Sequence, residues 1–420
     1  MQMLGILIFL IIFGILVVVH EFGHFIVAKK SGILVREFSV GMGPKLFQKL
    51  HKNTTYTVRW LPLGGYVRLA GPDDTAKIDP GSMVLLQLNE KGQVVRINTT
   101  SDDISFDGIP VQVKKADLED TLYIEGFENG DEEKLRHFDV IHDATIIEEN
   151  GTELQIAPRD VQMQSVSVWK KIATNFAGPF NNALLTLVVF MIYAFVSAGA
   201  PTTVVNNFSQ NSPAQTAGIE KGDKIVKVDQ QNIASTTDIQ QYLSTTKNEQ
   251  VTVEIERNGQ SVQKTVTPQT ITENETNYRL LGLTFDVDGS FSARINQGWN
   301  LTTNTATLIF KGVKSLVTGF SLNKLSGPVG IYKQASDLSN QGFLSILYFL
   351  GAISINLGIM NLLPIPGLDG GKLLLNLYEL LRGKPVSQEK EVIINIVGVV
   401  ILFALIIAVT GNDIYRYFIK

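Results

Sequence analysis

Four stretches without a single charged side chain decide most of what this chain can fold into: residues 3–19, about 176–200, 343–363 and 392–411. Each approaches the roughly 20 apolar residues that cross a bilayer as a helix. Four transmembrane helices are therefore expected. The first run has no basic leader and no A-x-A-like exit, and Lys29 and Lys30 follow it, so it reads as a retained span rather than a cleaved signal.

Flanking charge orients the spans. Lys29, Lys30, Arg36, Lys45 and Lys49 follow the first, Lys170 and Lys171 precede the second, and Lys372, Arg382, Lys384 and Lys390 separate the third from the fourth. Positive charge prefers the cytoplasmic side, which places both termini and the stretch 201–342 outside. The formal charge of −4 conceals a segregation, because residues 72–160 alone carry 21 acidic and 8 basic side chains. So acidic a loop excludes nucleic acid as a natural partner. Cysteine is absent, which excludes a thiol nucleophile and disulfide support for an external domain. Any metal must be held by His, Asp or Glu.

Along the chain, helix 1 (1–28) leads into a cytoplasmic loop (29–71). There Tyr56–Leu61 and Tyr66–Ala70 read as β-runs joined through Leu63-Gly64-Gly65 into a hairpin at the membrane. An acidic β-rich insert (72–160) follows, with runs at Val84–Leu88 and Val94–Ile97 and a turn at Asn150-Gly151. Helix 2 (173–200) precedes a compact β-rich module with one helix around Thr237–Leu243. An amphipathic helix (299–320) suits either the outer membrane surface or core packing. Helices 3 (343–370) and 4 (391–411) complete an α-helical polytopic membrane fold.

His20-Glu21-Phe22-Gly23-His24 is an H-E-x-x-H pattern. On a helix its two His lie within about 40° of one another, so one cation can take both imidazoles. Glu21 is then placed to hold a water and take its proton. Placing His, Glu and His at the end of an apolar span without function is costly, which argues against a chance match. Two His leave a catalytic site one protein ligand short. The candidate is Asp369, at the end of Asn361-Leu362-Leu363-Pro364-Ile365-Pro366-Gly367-Leu368-Asp369-Gly370, where two prolines must interrupt the third span. The alternative makes Asp369 the N-cap of a following helix. His51, His137 and His142 have no ligand-like spacing and are expected to be solvated or structural.

The two motifs together resemble those of the site-2 protease family, HExxH and NxxPxPxLDG, and the likeness is closest to its bacterial RseP-type branch, in particular the gram-positive RasP and Eep group. The resemblance implies one Zn2+ on His20, His24 and Asp369, with Glu21 as general base, in an endopeptidase of the bacterial cell membrane. It implies single-span membrane substrates, such as anti-sigma factors and signal-peptide remnants, trimmed beforehand by a site-1-type or signal peptidase. Asn211-Ser212-Pro213-Ala214, Ala217-Gly218-Ile219 and Gly222-Asp223-Lys224-Ile225 resemble a PDZ domain over 202–285, outside the membrane and expected to screen substrates. The family's substrate-pairing hairpin is resembled by the stretch holding Arg59, Trp60, Leu61, Gly64, Gly65 and Tyr66, although an ordinary structural hairpin stays open. An Asn at the start of helix 2 is implicated in substrate contact, which points to Asn181 or Asn182; a plain helix start is the alternative. Two other classes compete: a membrane scaffold with a purely structural His pair, and a secreted soluble zincin.

Overall fold

The computed structural model describes residues 2–74, 77–100, 107–131, 133–147, 152–273, 276–339 and 341–419, so the expected turn at Asn150-Gly151 lies outside the described residues. The chain divides into two compact units, Met1–Thr186 with Thr305–Lys420, and Leu187–Asn304.

Helix α1 (Gln2–Lys30) carries the first apolar run and ends on Lys29 and Lys30, where cations favour the helix C-terminus. Two long paired strands follow, β1 (Val35–His51) and β2 (Thr54–Leu69). Their turn is Lys52-Asn53, between the paired His51 and Thr54, with both φ angles positive as a two-residue turn of this kind needs. The hairpin is therefore not closed at Leu63-Gly64-Gly65. Glu37 lies opposite both Thr55 and Arg68, and Val40 opposite both Val58 and Gly65. The first part of β1 thus runs between the two stretches of β2 that the sequence suggested would pair with each other, and it satisfies the backbone of both.

The acidic segment forms β3 (Met83–Leu88), β4 (Val94–Asn98), β5 (Ile109–Asp117), β6 (Tyr123–Glu128), β7 (Leu135–Ile147) and β8 (Glu153–Gln155). The order β4-β3-β5-β6-β7-β8, with an added β4–β7 pairing, closes the sheet on itself around Leu86, Ile97, Ile124 and Phe138. Helix α2 (Val168–Val196) then carries the second apolar run.

In the second unit, β9 (Ala200–Phe208), α3 (Pro213–Thr216), β10 (Lys224–Val228), β11 (Gln231–Asn232), α4 (Thr236–Thr245), β12 (Val251–Arg257) and β13 (Gln260–Val266) precede a hairpin of β14 (Gln269–Glu273) and β15 (Thr276–Leu280), then β16 (Leu283–Asp288). The main sheet has the order β13-β12-β10-β9-β16. Its core holds Val205, Ile225, Val253 and Ile255, with Ile239 and Leu243 supplied by α4. A capping box between Ser235 and Asp238 starts α4.

Helix α5 (Phe291–Thr318) leaves Trp299, Leu308, Phe310 and Val317 exposed instead of burying them in a core. Helices α6 (Pro328–Ser339), α7 (Phe343–Asn361), α8 (Asp369–Arg382) and α9 (Gln388–Ile414) complete the first unit. The third apolar run is not one helix over 343–370: α7 stops at Asn361 and α8 restarts at Asp369, because Pro364 and Pro366 have no N–H to donate and Gly367 adopts φ +91°. Among the described residues α1, α2, α7 and α9 are long and apolar enough to cross a membrane.

Candidate metal centre

One turn of α1 separates His20 from His24, and their Nε2 atoms stand 3.3 Å apart. The break between α7 and α8 delivers Asp369 to the same point, with Oδ2 3.2 Å from His20 Nε2 and 3.3 Å from His24 Nε2. Leu368, not Asp369, holds the N-cap position of α8, and its side chain makes no capping bond. The donor set fits zinc in chemistry and in spacing. A tetrahedral zinc with bonds of about 2.0–2.1 Å separates its donors by about 3.3 Å. Asp369 Oδ2 is moreover buried without a hydrogen-bond partner, which a cation would supply. Among the described residues this is the one cluster of His, Cys, Asp or Glu with metal-ligand spacing.

Helix α2 orients the imidazoles. His24 Nδ1 donates to the Thr174 carbonyl at 2.7 Å, and His20 Nδ1 lies 3.1 Å from the Asn182 side-chain amide. Engaging each Nδ1 leaves each Nε2 for the metal. Ser354 Oγ of α7 donates to the Asn182 carbonyl at 2.8 Å and Thr186 Oγ1 of α2 donates to the Gly351 carbonyl of α7 at 3.1 Å, tying the second and third apolar helices together. The Asn361 amide, at the end of α7, is 3.5 Å from His20 Nε2.

Close approach of α1 and α2 depends on small residues. A Cβ on Gly23 would stand 2.4 Å from the Ala177 carbonyl oxygen, and one on Gly178 would stand 2.2 Å from His24 Nε2 and 2.8 Å from His20 Nε2. Gly178 therefore faces the centre itself. Sequence reasoning missed Gly178 and Thr174; the available signal was the spacing of Thr174, Gly178 and Asn182 at four-residue intervals, one stripe of α2.

The three donors line a cleft of about 420 Å³ together with Glu21, Asn175, Lys372 and the β2 segment Gly64–Val67. Gly65 lets β2 approach Glu21, since a Cβ there would lie 3.3 Å from Glu21 Cγ. Of the expected substrate contacts, Gly64, Gly65 and Tyr66 line the cleft. Arg59, Trp60 and Leu61 do not line it. Arg59 instead donates to Glu37, Ser39 and Tyr66 within the hairpin, and the Trp60 and Leu61 side chains are exposed. Burial alone would raise the Glu37 carboxyl, but hydrogen bonds from its hairpin neighbours and the Arg59 charge hold it below its ordinary value. Asn181 donates to the Val19 carbonyl, and Asn182 is fully buried against His20. Asn182 does not line the cleft; its four-residue step from Gly178 points it at the His20 imidazole.

Residues 8–405 match the model of peptidase family M50. The chain belongs to this family. The M50 assignment is supported by full-length relatives: a protein named as a probable protease, eep, of Enterococcus faecalis is 45% identical over 415 residues, covering 98% of each chain. A protein named as a zinc metalloprotease of Streptococcus pneumoniae is 45% identical over 427 residues, covering 100% of each. A third, of Lactococcus lactis, is 43% identical over 428 residues and 98% of each. The M50 chain is thus a multi-pass membrane metalloprotease of the site-2 type, with zinc as its metal.

Proposed function

We propose that this M50 peptidase hydrolyses peptide bonds within or beside the membrane-spanning segments of single-span proteins already trimmed outside. His20, His24 and Asp369 hold the zinc. When bound, the metal supplies Lewis acidity, acidifying water and polarising the scissile carbonyl. Glu21 takes the proton of the attacking water and passes it to the departing amine, a general acid–base role for a carboxylate lining the same cleft as the ligands. The single observation that carries this reading is the convergence of the three donors at 3.2–3.3 Å in a cleft shared with Glu21.

A helical substrate hides its scissile carbonyl in its own hydrogen bonds and must be unwound. The β2 segment Gly64–Val67 beside Glu21 offers strand pairing that replaces the bonds lost. Residues 202–285, within the Leu187–Asn304 unit, are read as a PDZ-like module that screens substrates, by excluding bulky ectodomains or by capturing trimmed C-termini. The hairpin and the acidic barrel are assigned to the cytoplasm, both termini to the outside of the bacterial cell membrane, and α5 to its outer surface. Anti-sigma factors and signal-peptide remnants fit the requirement for short single-span substrates.

The decisive experiment compares cleavage of a tagged single-span substrate in liposomes by wild type and Glu21→Gln, with bound zinc quantified in both. The expected result is near-stoichiometric zinc in both proteins and turnover lowered by about 10²–10⁴-fold in the variant. Substantial cleavage by a zinc-loaded Glu21→Gln protein sinks the mechanism.

A further inference from the structure

A second cavity, of about 710 Å³, lies where α8 gives way to α9 and shares no residue with the zinc cleft. Its wall is apolar along Leu374, Tyr378 and Ile394, and it carries three cations, Arg382, Lys384 and Lys390, with no Asp or Glu. The Arg382 guanidinium rests over the Tyr378 ring, 5.8 Å from its centroid. Among the described residues none of the three cations forms an ion pair with a carboxylate; Glu379, the nearby acid of α8, faces away and is bound to Lys171 at 2.8 Å.

Two features identify the occupant. Three unneutralised cations call for a compact anion. The apolar wall is continuous with the exposed outer surface of α9, where Ile393, Ile396, Val397 and Val400 face outward, and Leu381 beside the cavity is 88% exposed. On a helix that crosses a bilayer, this outer surface is covered by acyl chains. We propose that the α8–α9 cavity binds one anionic phospholipid, its phosphate on Arg382, Lys384 and Lys390 and its acyl chain along Leu374, Tyr378 and Ile394. Basic pockets beside membrane helices recognise headgroups in this way. Because α8 begins at the ligand Asp369, the lipid would also brace the helix that delivers the third metal donor.

The test uses the full-length, zinc-loaded protein in detergent, titrated with phosphatidylglycerol or phosphatidylcholine and read by native mass spectrometry. Arg382→Gln/Lys384→Gln/Lys390→Gln should lower phosphatidylglycerol affinity on the order of a hundredfold, at the usual contribution of a basic residue near an anionic headgroup. Phosphatidylcholine binding should be weak and equal in both proteins, with zinc content unchanged. Should the triple variant fail to fold, Lys384→Gln/Lys390→Gln should lose about thirtyfold. Equal phosphatidylglycerol binding by wild type and variant overturns the proposal. So does displacement of the lipid by free glycerol phosphate, which would mark a soluble-phosphate site, or by an acidic peptide, which would mark a protein-docking site.

Discussion

The Asn182 side-chain amide lies 3.1 Å from Nδ1 of His20, while Nε2 of the same ring faces Asp369 at 3.2 Å. With Nε2 given to a metal, Nδ1 carries the proton and needs an acceptor. The Asn182 oxygen is buried with no partner in the orientation shown, and rotating the amide brings that oxygen to Nδ1 within the same volume. Zinc loading and the amide orientation are therefore coupled. Asn182→Leu, which keeps size and removes the acceptor, should weaken zinc binding about 10–100-fold in a chelator competition. Asn182→Asp should restore it. Unchanged zinc affinity in the Leu variant would show that Asn182 does not orient His20.

Gly178→Ala adds one methyl group to a helix interior, a change worth up to about 1 kcal/mol in favour of the helix. Here the methyl would stand 2.2 Å from His24 Nε2. The variant should retain its helical content and thermal unfolding midpoint while losing most of its zinc. Metal analysis beside circular dichroism separates this outcome from general misfolding, and full zinc occupancy would refute the close approach.

Asp223, only 2% exposed in its side chain, accepts two hydrogen bonds of 2.7 Å from Arg257. Burial by itself would raise its carboxyl, but the Arg257 bonds, the Glu220 backbone bond and the Arg257 charge carry it below its ordinary value. A carboxyl lower in the folded than in the unfolded state stabilises fully above the unfolded value near 4, and that contribution fades as pH falls through the folded value. Hydrogen exchange of strands β10 and β12 in the full-length protein should therefore accelerate as pH drops below about 4, after correction for intrinsic rates. Asp223→Asn should be faster already at neutral pH and should show a flatter acid limb. Parallel acid limbs in the two proteins would remove Asp223 as the cause.

Asp413, in the last turn of α9 and 1% exposed, accepts from the backbone N–H groups of Gly327 and Gly330 at 2.8 and 2.9 Å. These are among the donors at the start of α6 that have no partner within that helix. Helix α6 meets α1 through an edge contact of Tyr332 with Phe9, 6.1 Å between centroids. Asp413→Ala leaves the donors buried and should cost about 2 kcal/mol locally. The expected reading is hydrogen exchange about thirtyfold faster over 327–339, with zinc content unchanged. Exchange equal to wild type would mean that α6 is held by packing alone.

Hydropathy and motif spacing were enough to expose the four apolar helices and the pairing of His20 with His24, because a span needs length and charge exclusion, and a metal pair needs only a helical step. Those are properties of neighbours along the chain. Asp369 was a candidate, and the fold brings it to that pair. The place where the third apolar run breaks was equally legible, since Pro364 and Pro366 stand two residues apart beside Gly367 and remove two helix donors at once, whereas the lone Pro179 is accommodated inside α2. Hairpin register was not. The runs around Tyr56 and Tyr66 looked like mutual partners, yet β1 lies between them, and its alternation alone could not say which strand would take which edge. Nor could the sequence place Asn182 against His20, or show that Gly178 must lack a side chain. Both facts depend on which face of α2 meets α1 and at what distance, and that distance is set by packing between residues roughly 160 positions apart.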